Sequence, residues 1–147
     1  MKIAIVGSRS ITVNNLGDYL PENTTEIVSG GAIGVDRSAR NYAKTHNIKL
    51  KEFLPEYERY GRSAPLKRNL QIIDYADEVI AFWDGMSHGT RFVIENCKRK
   101  NVPIKVYALA NKYYCKRTEN FIYKNLSGNI TMRFAKQLPD RKFLFYI

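Results

Sequence analysis

Five short apolar runs punctuate the first 108 residues: Lys2–Val6, Thr25–Ser29, Lys49–Leu54, Glu78–Phe82 and Ile104–Ala108. Most are near-continuously apolar and do not alternate with polar residues, which is the pattern of strands buried on both faces. Segments with helical spacing separate them. Val35, Ala39, Tyr42 and Ala43 recur at i, i+4, i+7 and i+8. Leu66, Leu70 and Ile73 do the same in a second segment, with Ser63 placed to cap it and Pro65 in its first turn. Val93 and Cys97 share a face of a third, which ends before Asn101-Val102-Pro103. Strand and helix alternating in this way predict an α/β fold, a Rossmann-like three-layer sandwich around a five-stranded parallel sheet in the order 3-2-1-4-5. In such sheets ligands sit at the carboxyl ends of the strands, where strand order reverses.

The pattern changes after residue 108. Residues 111–126 mix polar and aromatic positions and suggest partial helix. Ile130–Ala135 and Lys142–Ile147 flank Leu138-Pro139-Asp140 and predict a hairpin. The chain therefore divides into a ligand-binding domain, 1–108, and a C-terminal helix/hairpin extension, 109–147. The extension is also the basic part. It holds 8 Lys/Arg against 2 Asp/Glu, whereas residues 1–108 hold 16 against 12, within a formal net charge of +10. Its Lys112, Lys116, Arg117, Lys124, Arg133 and Lys136 interleave with Tyr113, Tyr114, Phe121, Tyr123 and Phe134. That interleaving admits weak nucleic-acid binding. The strongly apolar last strand favours packing on the domain or on the second subunit of a homodimer.

Other classes are disfavoured. No apolar run approaches the roughly 20 residues of a membrane helix, and the first run ends too early, at Gly7, for a secretory signal. A cytoplasmic protein without membrane contact is expected. Cys97 and Cys115 lack metal-ligand spacing and read as reduced thiols, and His88 has no partner ligands spaced with it, so neither a metal nor a cofactor is expected.

The candidate chemistry follows the strands. After the first comes Gly7-Ser8-Arg9-Ser10, which combines a sharp turn, two hydroxyls and a guanidinium. After the second comes Ser29-Gly30-Gly31-Ala32-Ile33-Gly34-Val35-Asp36-Arg37, running into a helix whose unpaired N–H groups suit an anion. This loop is a near miss to the dinucleotide fingerprint, with Ser29, Gly31 and Gly34 at its glycine positions. The glycines equally serve close helix–strand packing. Arg68 and Asn69 lie off the apolar face of the second helix, where solvated charge is the ordinary reading. After the fourth strand comes Trp83-Asp84-Gly85-Met86-Ser87-His88-Gly89-Thr90, an aromatic face for stacking, a carboxylate for ribose hydroxyls and a second helix start.

Taken together these loops resemble the SLOG superfamily, the Rossmann-like fold shared by LOG phosphoribohydrolases and DprA DNA-processing proteins, and most of all its small YspA-like branch. The likeness rests on Gly7-Ser8-Arg9, Ser29-Gly30-Gly31-Ala32, Gly34-Val35-Asp36-Arg37, Tyr60-Gly61, Arg68-Asn69, Ala76-Asp77 and Phe82 to Thr90, in that order across residues 1–108. It implies a nucleotide-derived ligand in the sheet crevice. Arg68 matches the arginine of LOG enzymes, and Gly89-Thr90 their Gly-Thr pair, but Val93 stands where they carry a glutamate. Glu95 lies two residues on, roughly opposite on a helix. The expected function is therefore binding of a phosphate-bearing, nucleotide-like small molecule. Arg9 and Arg68 would neutralise the phosphate and Trp83 would pack on the base or sugar. The alternatives are LOG-type phosphoribohydrolase chemistry, with Asp84 and Arg68 as catalytic candidates, and DprA-like single-stranded DNA binding. The expected ligand-binding residues are Gly7, Ser8, Arg9, Ser29, Gly30, Gly31, Gly34, Asp36, Arg68, Asn69, Trp83, Asp84, Gly85, Ser87, Gly89 and Thr90.

Overall fold

The computed structural model describes residues 1–107 with their side chains, and the backbone of 108, 120–125, 128–138 and 142–146. Five parallel strands form its centre: β1 (Lys2–Gly7), β2 (Glu26–Ser29), β3 (Lys49–Glu52), β4 (Glu78–Trp83) and β5 (Ile104–Ala108). Their spatial order is β3-β2-β1-β4-β5, with Ile3 in register with Ile27 on one side and Glu78 on the other. Helices α1 (Val35–Thr45), the one-turn α2 (Tyr57–Tyr60), α3 (Ala64–Tyr75) and α4 (His88–Lys100) fill the connections. The β1–β2 connection holds only a 3₁₀ turn, Leu16–Tyr19.

The period of two along each strand splits the core into two layers. Ile3, Ile5, Ile27, Ile80 and Phe82 face one way and meet Val35, Ala39 and Ala43 of α1, together with Leu16 and Tyr19. Ala4, Val6, Val28, Val79, Ala81 and Trp83 face the other way and meet Ile72 and Ile73 of α3 and Val93, Ile94 and Cys97 of α4. The result is the expected Rossmann-like three-layer sandwich. Each fully buried Val, Leu or Ile contributes about 1.5–3 kcal/mol. Strand β3, Lys-Leu-Lys-Glu, is half exposed and forms an edge of the sheet. Its lysines discourage pairing with another chain.

Beyond β5 the sheet continues antiparallel. Strands β6 (Asn120–Asn125), β7 (Gly128–Leu138) and β8 (Lys142–Tyr146) extend the order to β5-β8-β7-β6. The expected hairpin is thus formed by β7 and β8. The expected helical character of 111–126 is not found in 120–125, which is a strand. Phe121, Ile122 and Tyr123 there are aromatic and β-branched, residue types that suit a pleated surface. Residues 109–119, 126–127, 139–141 and 147 lie outside the described residues, as do the tail's basic and aromatic side chains and Cys115. Among the described residues no helix is long and apolar enough to cross a membrane.

Two helix details depart from the sequence reading. The inward stripe of α3 is Ala64, Arg68, Asn69, Ile72 and Ile73, whereas Leu66 is 39% exposed. The apolar triplet Leu66-Leu70-Ile73 therefore does not define the buried face, and Arg68 and Asn69 are not solvated. Ser63 stands at the N-cap of α3 as expected, but it makes no side-chain capping bond; its hydroxyl donates to the Tyr60 carbonyl at 2.7 Å. Helix α4 does stop where expected, closed by Asn101 in the left-handed region with φ 55°.

Candidate ligand-binding cleft

Strand order reverses between β1 and β4, and the loops leaving these two strands are tied to each other. The Ser8 N–H donates to the Phe82 carbonyl at 3.0 Å. The Ser8 hydroxyl accepts from the Asp84 N–H at 3.2 Å, and the Ser10 hydroxyl donates to Asp84 Oδ2 at 3.0 Å. The β2–α1 loop closes the third side. Gly34 carries φ +77°, and a Cβ there would press on the backbone of Arg9, so only glycine lets the two loops meet this closely. The enclosed cleft has a volume of about 440 Å³, within the roughly 300–1,000 Å³ typical of small-ligand sites.

Of the residues expected at the site, Gly7, Arg9, Asp36, Arg68, Asn69, Asp84, Ser87, Gly89 and Thr90 line this cleft. Ser8, Ser29, Gly30, Gly31, Gly34, Trp83 and Gly85 are not on its lining. Ser8 and Ser29 are buried and bond to neighbouring loops. Trp83 is only 2% exposed. Its position in β4 turns the ring into the layer shared with α3 and α4, and its indole N–H donates to the Ser87 carbonyl at 3.2 Å. The indole offers no open face to a base or sugar; it braces the loop that starts α4. Val6, Ala32, Pro65, Leu66, Ile72 and Val93, not expected from the sequence, line it too, with Ser10 of the Gly7-Ser8-Arg9-Ser10 turn. Most are apolar, and Pro65, Leu66 and Ile72 share α3 with Arg68 and Asn69, so apolar and charged surface lie side by side in the cleft.

Arg68 dominates the charged wall. It is 8% exposed and donates through Nη1 to the Gly30 carbonyl. A Cβ on Gly30 would overlap the guanidinium, so this glycine exists for the arginine's approach. The same Nη1 lies 3.9 Å from Asp36 Oδ2, a loose pair. Burial pulls the guanidinium below its ordinary value, against the pull of Asp36, and the nearby Arg9 charge pulls it further down. Burial likewise pushes the Asp36 carboxyl up; the Ala32 amide, Arg68 and the Gly30 amide oppose this without cancelling it. The pair thus compensates only part of the desolvation of its members. Arg68 Nε is buried without a hydrogen-bond partner. Arg9, by contrast, is exposed.

Asp84 is held differently. Its Oδ1 accepts from the N–H groups of Ser87 at 2.7 Å and Met86 at 2.9 Å. Burial pushes its carboxyl up, but these two amides and the Ser8 and Ser10 hydroxyls outweigh that and hold it below the ordinary aspartate range. A carboxylate so stabilised is a weak proton acceptor. Ser87 caps α4, its hydroxyl accepting from the Thr90 N–H at 3.5 Å, and no acid stands in the first turn of that helix. Val93 is 1% exposed and apolar, while Glu95 pairs with Arg91 along the helix at 3.7 Å. Among the described residues no group of His, Cys, Asp and Glu could hold a metal. No protein-family model, no curated protein and no solved structure matches the chain, so the cleft's own chemistry carries the functional argument.

Proposed function

We propose that the cleft binds a nucleotide-derived, phosphate-bearing small molecule and does not cleave it. One observation carries this reading: a guanidinium buried in the cleft wall, loosely paired and with its Nε unsatisfied. Such a group gains from an incoming anion more than a solvated arginine would. Arg9 adds a second positive charge at the rim, and α4 points the positive end of its dipole at the cleft, offset in part by Asp84, which takes the Met86 and Ser87 N–H groups. Pro65 and Leu66 supply apolar surface for a base or sugar. The placement at the β1/β4 switch point and the order of loop motifs that resembles the SLOG superfamily support the same reading. Hydrolysis is the weaker reading, because Asp84 is held ionised by its donors and Val93 offers no acid.

Thermal-shift titration with nucleoside mono- and diphosphates tests the proposal. The wild-type midpoint rises with at least one of them. Arg9→Ala weakens that binding about ten- to hundredfold and leaves the unliganded midpoint nearly unchanged. A wild-type midpoint indifferent to every nucleotide overturns the reading.

A further inference from the structure

The β2–α1 loop has the composition of an anion seat, yet two of its donors are already used. The Gly31 N–H donates to the Ser29 hydroxyl at 3.3 Å, and the Ala32 N–H donates to Asp36 Oδ2 at 3.1 Å. Asp36 stands in the first turn of α1, where the helix dipole favours negative charge. It is buried, and the same oxygen faces Arg68 Nη1. A side-chain carboxylate therefore sits among the loop amide, the helix start and the buried guanidinium, the three partners that a bound phosphate oxygen would seek.

We infer that Asp36 is a built-in anion: its carboxylate occupies the phosphate seat formed by the glycine-rich loop and Arg68 Nη1, and so closes the α1 side of the cleft to anionic groups. Asp36 is then a specificity-determining residue. It steers a ligand's phosphate away from the α1 loop amides and toward Arg68 Nε and Arg9, and leaves the α1 side for neutral parts of the ligand. The inference rests on the proposed function only in taking phosphate as the anion concerned.

Inorganic phosphate is the probe, and the full chain is titrated by ¹⁵N NMR. In the wild type, phosphate leaves the Gly31 and Ala32 amides in place. In Asp36→Asn the like charge is gone, and at roughly 4 Å that charge accounts for at least about a tenfold change in affinity. The variant therefore binds phosphate at least about tenfold more tightly, with shifts at Gly31, Ala32 and the Arg68 Nε–H. Adding Arg68→Met to it abolishes the gain. A variant that binds phosphate no better than wild type overturns the inference. So does a wild-type titration that moves Gly31 and Ala32, and this second result stands even if Asp36→Asn fails to fold. The two proposals fail separately. Phosphate bound only after Asp36→Asn, with no nucleotide bound by wild type, supports this inference and sinks the nucleotide reading. Nucleotide bound by wild type without a gain in the variant does the reverse.

Discussion

Replacing Arg68 by alanine separates a buried, underpaired cation from an ordinary surface one. The substitution removes a charge-assisted hydrogen bond to the Gly30 carbonyl, a loss of about 1.5–3 kcal/mol. It also strips Asp36 of its countercharge, and removing one partner of a buried pair costs about 3–5 kcal/mol. These figures describe overlapping losses, and the 3.9 Å separation puts this pair at the weak end. The expected total is about 3 kcal/mol, or a fall in midpoint of about 6–12 °C for a chain of this size. Arg9→Ala, at an exposed position, should stay within about 0.5 kcal/mol. Urea unfolding followed by Trp83 fluorescence measures both, since the single tryptophan is buried in the core. The pH dependence gives a second check. The folded-state value of Asp36 lies above the ordinary 3.8, so at intermediate pH the folded chain holds more protons there than the unfolded one. Stability at this site then grows as pH falls toward 3.8. Loss of Arg68 raises the folded value further, so the deficit of the variant is greatest near neutrality and narrows in acid. A deficit no larger than that of Arg9→Ala, or one that stays constant into acid, refutes the pairing argument.

Asp84→Asn should lower stability at neutral pH by about 1 kcal/mol. Because its folded value is depressed, its contribution is present above 3.8 and fades as pH falls through the folded value, so the variant and wild type should converge in acid-denaturation curves. Gly34→Ala, forced to φ +77° against the Arg9 backbone, should cost at least about 1–3 kcal/mol, read as a lowered thermal midpoint. Cys97 is buried and its thiol is pushed up to about 12. In a Cys115→Ser background it should resist a thiol reagent until the protein unfolds, and rapid native-state labelling would contradict that. Incubation with nucleoside monophosphates should release no free base at enzymatic rates by chromatography; release abolished by Asp84→Asn would restore the hydrolase reading.

The sheet is legible in the sequence because burial on both faces leaves unbroken apolar runs such as Ile3-Ala4-Ile5-Val6 and Val79-Ile80-Ala81-Phe82, which no solvated element can carry. Even β3 is found, because Leu50, Phe53 and Leu54 mark an apolar run around its lysines, though the strand itself stops at Glu52. What escapes is any residue whose role depends on direction. Arg68 and Asn69 look solvated if the inner stripe of α3 is sought among apolar residues alone; the true stripe at 64, 68, 69, 72 and 73 is part polar because it ends at the cleft. Trp83 looks like a stacking platform by its place after β4, yet strand parity decides its side, and the odd positions Val79, Ala81 and Trp83 all enter the α3/α4 layer. Asp36 reads as one more polar residue beside the glycines. Only the turn geometry aims its carboxylate back at the Ala32 amide.

The pairing of β1 with both β2 and β4 has a consequence for how the protein is made. Ile3 meets Ile27 early along the chain, but it meets Glu78 only after about three times that length has been synthesised. Closing the longer loop costs more entropy, and non-local parallel pairing is slow. The first half of the sheet can therefore assemble on the ribosome while the other edge of β1 waits, open and apolar. The cleft lies on that waiting edge, so the binding site is complete only once β4 has docked and α4 has followed it. A ligand present during synthesis would meet no site until then, and a chain halted before Trp83 would expose the β1 edge to chaperones and to its own kind.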